Sequence, residues 1–107
     1  MSERKEKLQS EILKMAATFL DREGDNTSLI TVTRIDLSPD FKNSTIYISV
    51  LPDKKEQDAL NFAKRKMGDF KKYLKDHMRL KLIPFFGVEL DVGEKNRQRI
   101  EELSKEN

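Results

Sequence analysis

Basic side chains crowd residues 60–82, LNFAKRKMGDFKKYLKDHMRLKL, at Lys64, Arg65, Lys66, Lys71, Lys72, Lys75, Arg79 and Lys81. Only Asp69 and Asp76 oppose these eight, so with His77 neutral the stretch is net +6. The whole chain is net +2, which leaves the remainder at −4. Such a set suits an anionic polymer, because each phosphate neutralised by a lysine or arginine releases condensed counterions and strengthens binding. Lysines also make a solvated helix face at little cost, and for basic runs in general that reading leads. The acidic remainder of this chain puts the two readings on an equal footing.

Groups that could catalyse are scarce. His77 is the only histidine and there is no cysteine, which removes histidine–cysteine metal clusters and Cys/His nucleophile pairs. Gly24, Gly68, Gly87 and Gly93 are isolated, so no glycine loop cradles a phosphate. Asp36 and Asp40 flank a turn, where aspartates cap backbone groups or meet solvent. His77 falls at the edge of an apolar stripe among cations, a place for packing or for neighbouring a phosphate. The residues therefore predict a binding protein rather than an enzyme, with no metal and no cofactor.

The cations ride on a helical pattern. Leu60, Ala63, Met67, Phe70, Leu74 and Met78 recur in steps of three and four, one face of a helix. On a wheel with Met67 at zero, Lys71, Lys64, Lys75, Arg79, Lys72 and Arg65 fall between about 40° and 160°, beside the apolar stripe. Asp53 and Glu56 have capping-box spacing and predict a helix opening there and running to about Lys66. Glycine inside a helix costs about 1 kcal/mol relative to alanine, so Gly68 predicts a kink or break, with Asp69 capping a renewed helix over 70–79. Phe62 and Tyr73 lie off the stripe; stacking on unpaired RNA bases and packing on the first helix or the sheet are both open, packing being favoured.

The rest of the chain supplies the frame. Residues 2–22 form an amphipathic helix through Leu8, Ile12, Met15, Ala16 and Phe19, stopped near Gly24. Residues 29–37, LITVTRIDL, read as a strand whose apolar phase slips between Val32 and Ile35. A bulge near Thr33 or burial on both faces explains the slip. Ser38-Pro39-Asp40 turns the chain into a cleaner strand over 44–51, with Ile46, Ile48 and Val50 on one side, ended by Pro52. The short connection makes the two an antiparallel pair. Phe86, Val88, Leu90 and Val92 alternate with Gly87, Glu89 and Asp91 in a third strand after Pro84. The order α-β-β-α-α-β predicts an α+β fold, helices covering one face of a three-stranded sheet. Residues 1–92 make one domain, and 93–107 a tail that is a short helix or partly frayed. No run of about eighteen apolar residues is present and the N-terminus is charged, which predicts no membrane span, no secretory signal and a cytoplasmic protein.

Several of these residues, in this order, resemble the ribosome-binding factor A family: Ser38-Pro39-Asp40-Phe41-Lys42 leading into Thr45-Ile46-Tyr47-Ile48-Ser49-Val50, then Leu74 through Met78-Arg79-Leu80-Lys81 to Pro84, then Asp91 and Arg99-Ile100-Glu101-Glu102-Leu103. The resemblance spans nearly the whole chain. It implies a type II KH-like domain, matching the element order read above, in which an interhelical Ala-x-Gly kink replaces the usual Gly-x-x-Gly loop. Here that site reads Lys66-Met67-Gly68, with lysine in place of alanine. The family often carries Asp-Pro-Arg after the first helix, where this chain has Arg22-Glu23-Gly24-Asp25-Asn26. The resemblance further implies a monomeric factor that binds the immature small (30S) ribosomal subunit and its 16S rRNA, assists late maturation and rRNA processing, and is linked to cold adaptation. The alternative is a KH-like module acting on RNA outside the ribosome; an acidic protein partner is a third possibility. With RNA as partner, the wheel nominates Lys64, Arg65, Lys71, Lys72, Lys75 and Arg79, with Lys81 at the approach to the third strand.

Overall fold

The computed structural model describes residues 2–24 and 27–93. Helix α1 spans Ser2–Glu23, strand β1 Leu29–Leu37 and strand β2 Asn43–Leu51. A single 3₁₀ turn, Asp53–Lys55, leads into α2, Glu56–Arg65; α3 follows at Met67–His77 and β3 at Phe85–Leu90. This is the expected order. Of the expected tail over 93–107, all but Gly93 lies outside the described residues.

The sheet runs β1-β2-β3, with β1 antiparallel and β3 parallel to the central β2. The slip in β1 is a bulge: register jumps between Val32 and Arg34, leaving Thr33 unpaired. That extra residue returns Val32, Ile35 and Leu37 to one face, where all three are buried. Ser44, Ile46, Ile48 and Val50 bury the same side of β2, and Phe86 and Val88 that of β3. Val92 was expected to continue this alternation, but β3 ends at Leu90 and Val92 is exposed.

All three helices cover that one face. Helix α1 contributes Ile12, Ala16, Phe19 and Leu20, and the Gln9 side chain donates to the Ile35 carbonyl at 3.0 Å, tying it to β1. Helix α2 buries Ala59 and Ala63; α3 buries Phe70 and Leu74. Phe70 sits 5.3 Å from Phe19 and 5.1 Å from Phe86, centroid to centroid, so one aromatic joins α1, α3 and β3. Tyr73 packs 5.4 Å from Phe19 with the Arg22 guanidinium 5.2 Å above its ring, which makes it a packing residue. Phe62 is half-buried against the same core.

Two local expectations change. Asp53 does not cap α2: the 3₁₀ turn begins at Asp53 after Pro52, and neither it nor α2 has a side-chain cap. Extended backbone at Pro52 delays the helix, and the turn absorbs the change of direction. The break between α2 and α3 falls at Lys66, two residues before Gly68. The Lys66 N–H reaches back to the carbonyls of both Phe62 (3.1 Å) and Ala63 (3.2 Å), while its own carbonyl accepts from Phe70 at 2.9 Å. One residue thus ends one helix and starts the next. Gly68 is helical within the first turn of α3 and has no positive φ.

Candidate nucleic-acid interface

The position of the cations follows from the buried side of α3. With Phe70 and Leu74 wholly inside, helical geometry turns Lys71, Lys72 and Lys75 to solvent. Lys64 stands exposed beside buried Ala63 at the end of α2. Two grooves meet along this surface. One, of about 590 Å³, runs between the α2–α3 junction and β3 and is lined by Lys64, Met67, Gly68 and Lys71 on the helical side. The other, of about 520 Å³, lies between α3 and the segment leading into β3, lined by Lys71, Lys72, Lys75 and Lys81. Gly68 and Lys71 belong to both, so the grooves form one trough. A Cβ added at Gly68 would meet nothing within 4 Å. The glycine is therefore not forced by a close internal contact; it keeps the trough low where the two halves join.

Five nominated residues, Lys64, Lys71, Lys72, Lys75 and Lys81, converge on this trough. Arg65 does not. It lines a separate cleft of about 290 Å³ with Gly24, Thr27, Lys55, Asp58 and Phe62, because the break at Lys66 divides the single wheel into two. Nor does Arg79 lie on α3. The helix ends at His77, whose ring nitrogen Nδ1 lies 2.8 Å from the Tyr73 carbonyl oxygen, and Met78 is extended. Partial burial of Met78 against the core draws the chain off the helical path and leaves Arg79 exposed, outside the trough.

The cations are available. Lys66 reaches Asp69 at 4.0 Å, but among the described residues Lys64, Lys71, Lys72, Lys75 and Lys81 form no ion pair. His77 lies 4.1 Å from Tyr73, centroid to centroid, and among the described residues it forms no ion pair. No group of histidine, cysteine and carboxylate side chains able to hold a metal occurs among the described residues. No described helix is long and apolar enough to cross a membrane.

Residues absent from the helical wheel also line the trough. Leu82 and Phe85 are 58% and 67% exposed, respectively, unusual for large apolar side chains beside lysines. Thr45 of β2 and Glu89 of β3 line the trough from the sheet. A signal for Phe85 exists in the strand alternation: if Phe86 and Val88 point inward, Phe85 and Glu89 point out.

The sequence profile of the family described as ribosome-binding factor A matches residues 4–104. The chain belongs to this family. Ribosome-binding factor A of Natranaerobius thermophilus is 32% identical over 106 residues, covering 96% of this chain and 81% of that protein. The same-named protein of Fervidobacterium nodosum is 32% identical over 102 residues, covering 90% and 82%. In structure, the chain resembles ribosome-binding factor A from Thermus thermophilus with a TM-score of 0.70, at 20% identity and covering 78% of this chain and 90% of that one. A homology model of the Thermus thermophilus factor, fitted into a cryo-EM map of a 30S complex, is similar with a TM-score of 0.69, at 20% identity and covering 78% and 90%. These structures share the α+β arrangement found here, and the profile match bears out the resemblance carried by the Ser38–Lys42 turn and the approach to Pro84.

Proposed function

We propose that this chain binds the immature small (30S) ribosomal subunit through its 16S rRNA and assists late maturation and rRNA processing without catalysing a reaction. The observation that carries the reading is the trough of five lysines, Lys64 on α2, Lys71, Lys72 and Lys75 on α3 and Lys81 on the approach to β3, with no ion pair among the described residues. Lysines act as point charges toward phosphates, so this face fixes position and orientation on the rRNA backbone. Family membership supports the ribosome as the setting, and the Thermus thermophilus relative's fit into a 30S complex supports the small subunit. On this reading the protein works as a monomer in the cytoplasm, Gly68 opens the trough to the backbone, and Arg65 and Arg79 play lesser parts than the five lysines.

Co-sedimentation with mature and immature small subunits across a salt series tests this. Expected is preferential retention on the immature particle, lost as salt rises. Equal retention on both particles removes the maturation role. Retention on neither, with free RNA still bound, replaces the reading with a KH-like module acting outside the ribosome. A complex that withstands both salt and nuclease points instead to a protein partner.

A further inference from the structure

The trough does not stop at the lysines. It passes around the free edge of β3 to the face of the sheet that no helix covers, where Phe85, Gly87 and Glu89 lie in line on β3 and Thr45 stands beside Gly87 on β2. Pairing Thr45 with Gly87 places the threonine beside the glycine, so no side chain stands between Phe85 and Glu89. Four residues at about 3.3 Å each put the two α-carbons about 13 Å apart. One wall is an aromatic ring exposed by 67%. The other is a carboxylate with no ion pair among the described residues.

A lone exposed phenylalanine requires no explanation. Here the ring shares one trough with Lys64 and Lys71 and with two hydrogen-bonding side chains, Thr45 and Glu89. A carboxylate repels phosphate, so Glu89 is out of place in a surface that only reads backbone charge. It fits a surface that reads a base edge. An ionised carboxylate accepts hydrogen bonds and donates none, with two oxygens side by side. Guanine is the nucleobase whose Watson–Crick edge offers two adjacent N–H donors, N1–H and the N2 amino group. Unpaired RNA bases are stacked on aromatic rings and read along that edge, whereas duplexed bases withhold it.

We infer that Phe85, Gly87, Glu89 and Thr45 form a slot for one unpaired guanine, its backbone held on Lys64 and Lys71. The inference rests on the RNA-binding reading above and sharpens it. The lysines set where the strand lies, Phe85 requires that it be single, and Glu89 selects the base.

The probes are a hexamer of uridines, the same hexamer with one central guanosine, and that second hexamer annealed to its complement. Binding is read by fluorescence anisotropy at fixed low salt, with melting curves confirming that each variant folds. Expected for the native chain is about tenfold tighter binding of the guanosine hexamer than of all-uridine, and weak binding of the duplex. Phe85→Ala should weaken both single strands about tenfold. Glu89→Gln should erase the preference for guanosine. Equal affinity for the two hexamers, variants indistinguishable from the native chain, or no binding of any single strand overturns the slot. The two readings fail separately. A chain that ignores small subunits yet keeps the guanosine preference defeats the ribosomal reading alone. Particle binding with silent Phe85 and Glu89 variants defeats the slot alone.

Discussion

On the helical side of the molecule, Lys64, Lys71, Lys72 and Lys75 point to solvent without an ion pair among the described residues. Across the sheet, on the face no helix covers, polar groups of β1 are tied to neighbours. Arg34 lies 4.0 Å from Asp36 and 4.1 Å over the Tyr47 ring, and Tyr47, then Asp36, hold its charged form above the ordinary arginine range. Thr33, the bulged residue, donates its hydroxyl to Asp91 at 2.5 Å and lies 3.2 Å from the Tyr47 carbonyl oxygen. At the neighbouring turn Asp40 accepts from the Ser38 hydroxyl at 2.6 Å and from the Lys42 N–H at 3.0 Å. Charge that is paired locally contributes to holding the fold. Charge left unpaired contributes little to folding and remains free to meet a ligand. The helical side and the β1 end of the uncovered face divide those tasks.

The largest effect should come from reversing charge on the helical side. Lys71→Glu with Lys75→Glu is expected to abolish retention on small subunits in co-sedimentation. Any residual binding should show a slope of log K against log salt reduced by roughly 1.4–1.8, from two lost phosphate contacts. Stability should move by less than about 1 kcal/mol, mostly from a glutamate near the negative end of α3. A folded double variant that binds normally would break the comparison at its first term.

Thr33→Val tests the opposite face. Losing the hydroxyl bond that ties the bulge to the end of β3 should cost about 1 kcal/mol in urea unfolding, while particle binding stays as it was. Reduced binding at unchanged stability would mean that the β1 side of this face also meets the ribosome.

The smallest effect concerns pH. The Ser38 hydroxyl, first, and the Lys42 N–H hold the Asp40 carboxyl below its ordinary value of 3.8. A carboxylate depressed by folding contributes stability that is present above its unfolded value and is lost as pH falls through the folded one. Because Asp40 is fully exposed, the change should be visible in its own NMR titration more readily than in melting. The midpoint should lie below 3.8 in the native chain and return toward it in Ser38→Ala. An unmoved midpoint would show that the turn is not held as described.

Much of this was readable along the chain because it depends on near neighbours. Amphipathic spacing in α1 and alternation in β2 report which side is buried. The broken phase of β1 left a bulge near Thr33 or burial on both faces open, and the structure has the bulge. Clustering of cations between Lys64 and Lys81 is a property of the sequence alone. The capping box at Asp53 failed because helix onset depends on the backbone arriving from Pro52. A single wheel joined Arg65 and Arg79 to the lysines, and it failed for a similar reason. It assumes one straight axis, which the turn at Lys66 and the exit at Met78 remove.

By itself, then, the sequence determined the element types, their order, the charge imbalance and the family. Those follow from side-chain periodicity and composition, which are local. Only the tertiary structure decided that β3 runs parallel to β2 at a free edge and that Lys64, Lys71, Lys72, Lys75 and Lys81 share one trough. It also decided that Phe85 and Glu89 stand exposed beside that trough. Those outcomes depend on how α2, α3 and β3 pack around Phe70 and Phe86, contacts between residues far apart in the chain, which no local pattern records.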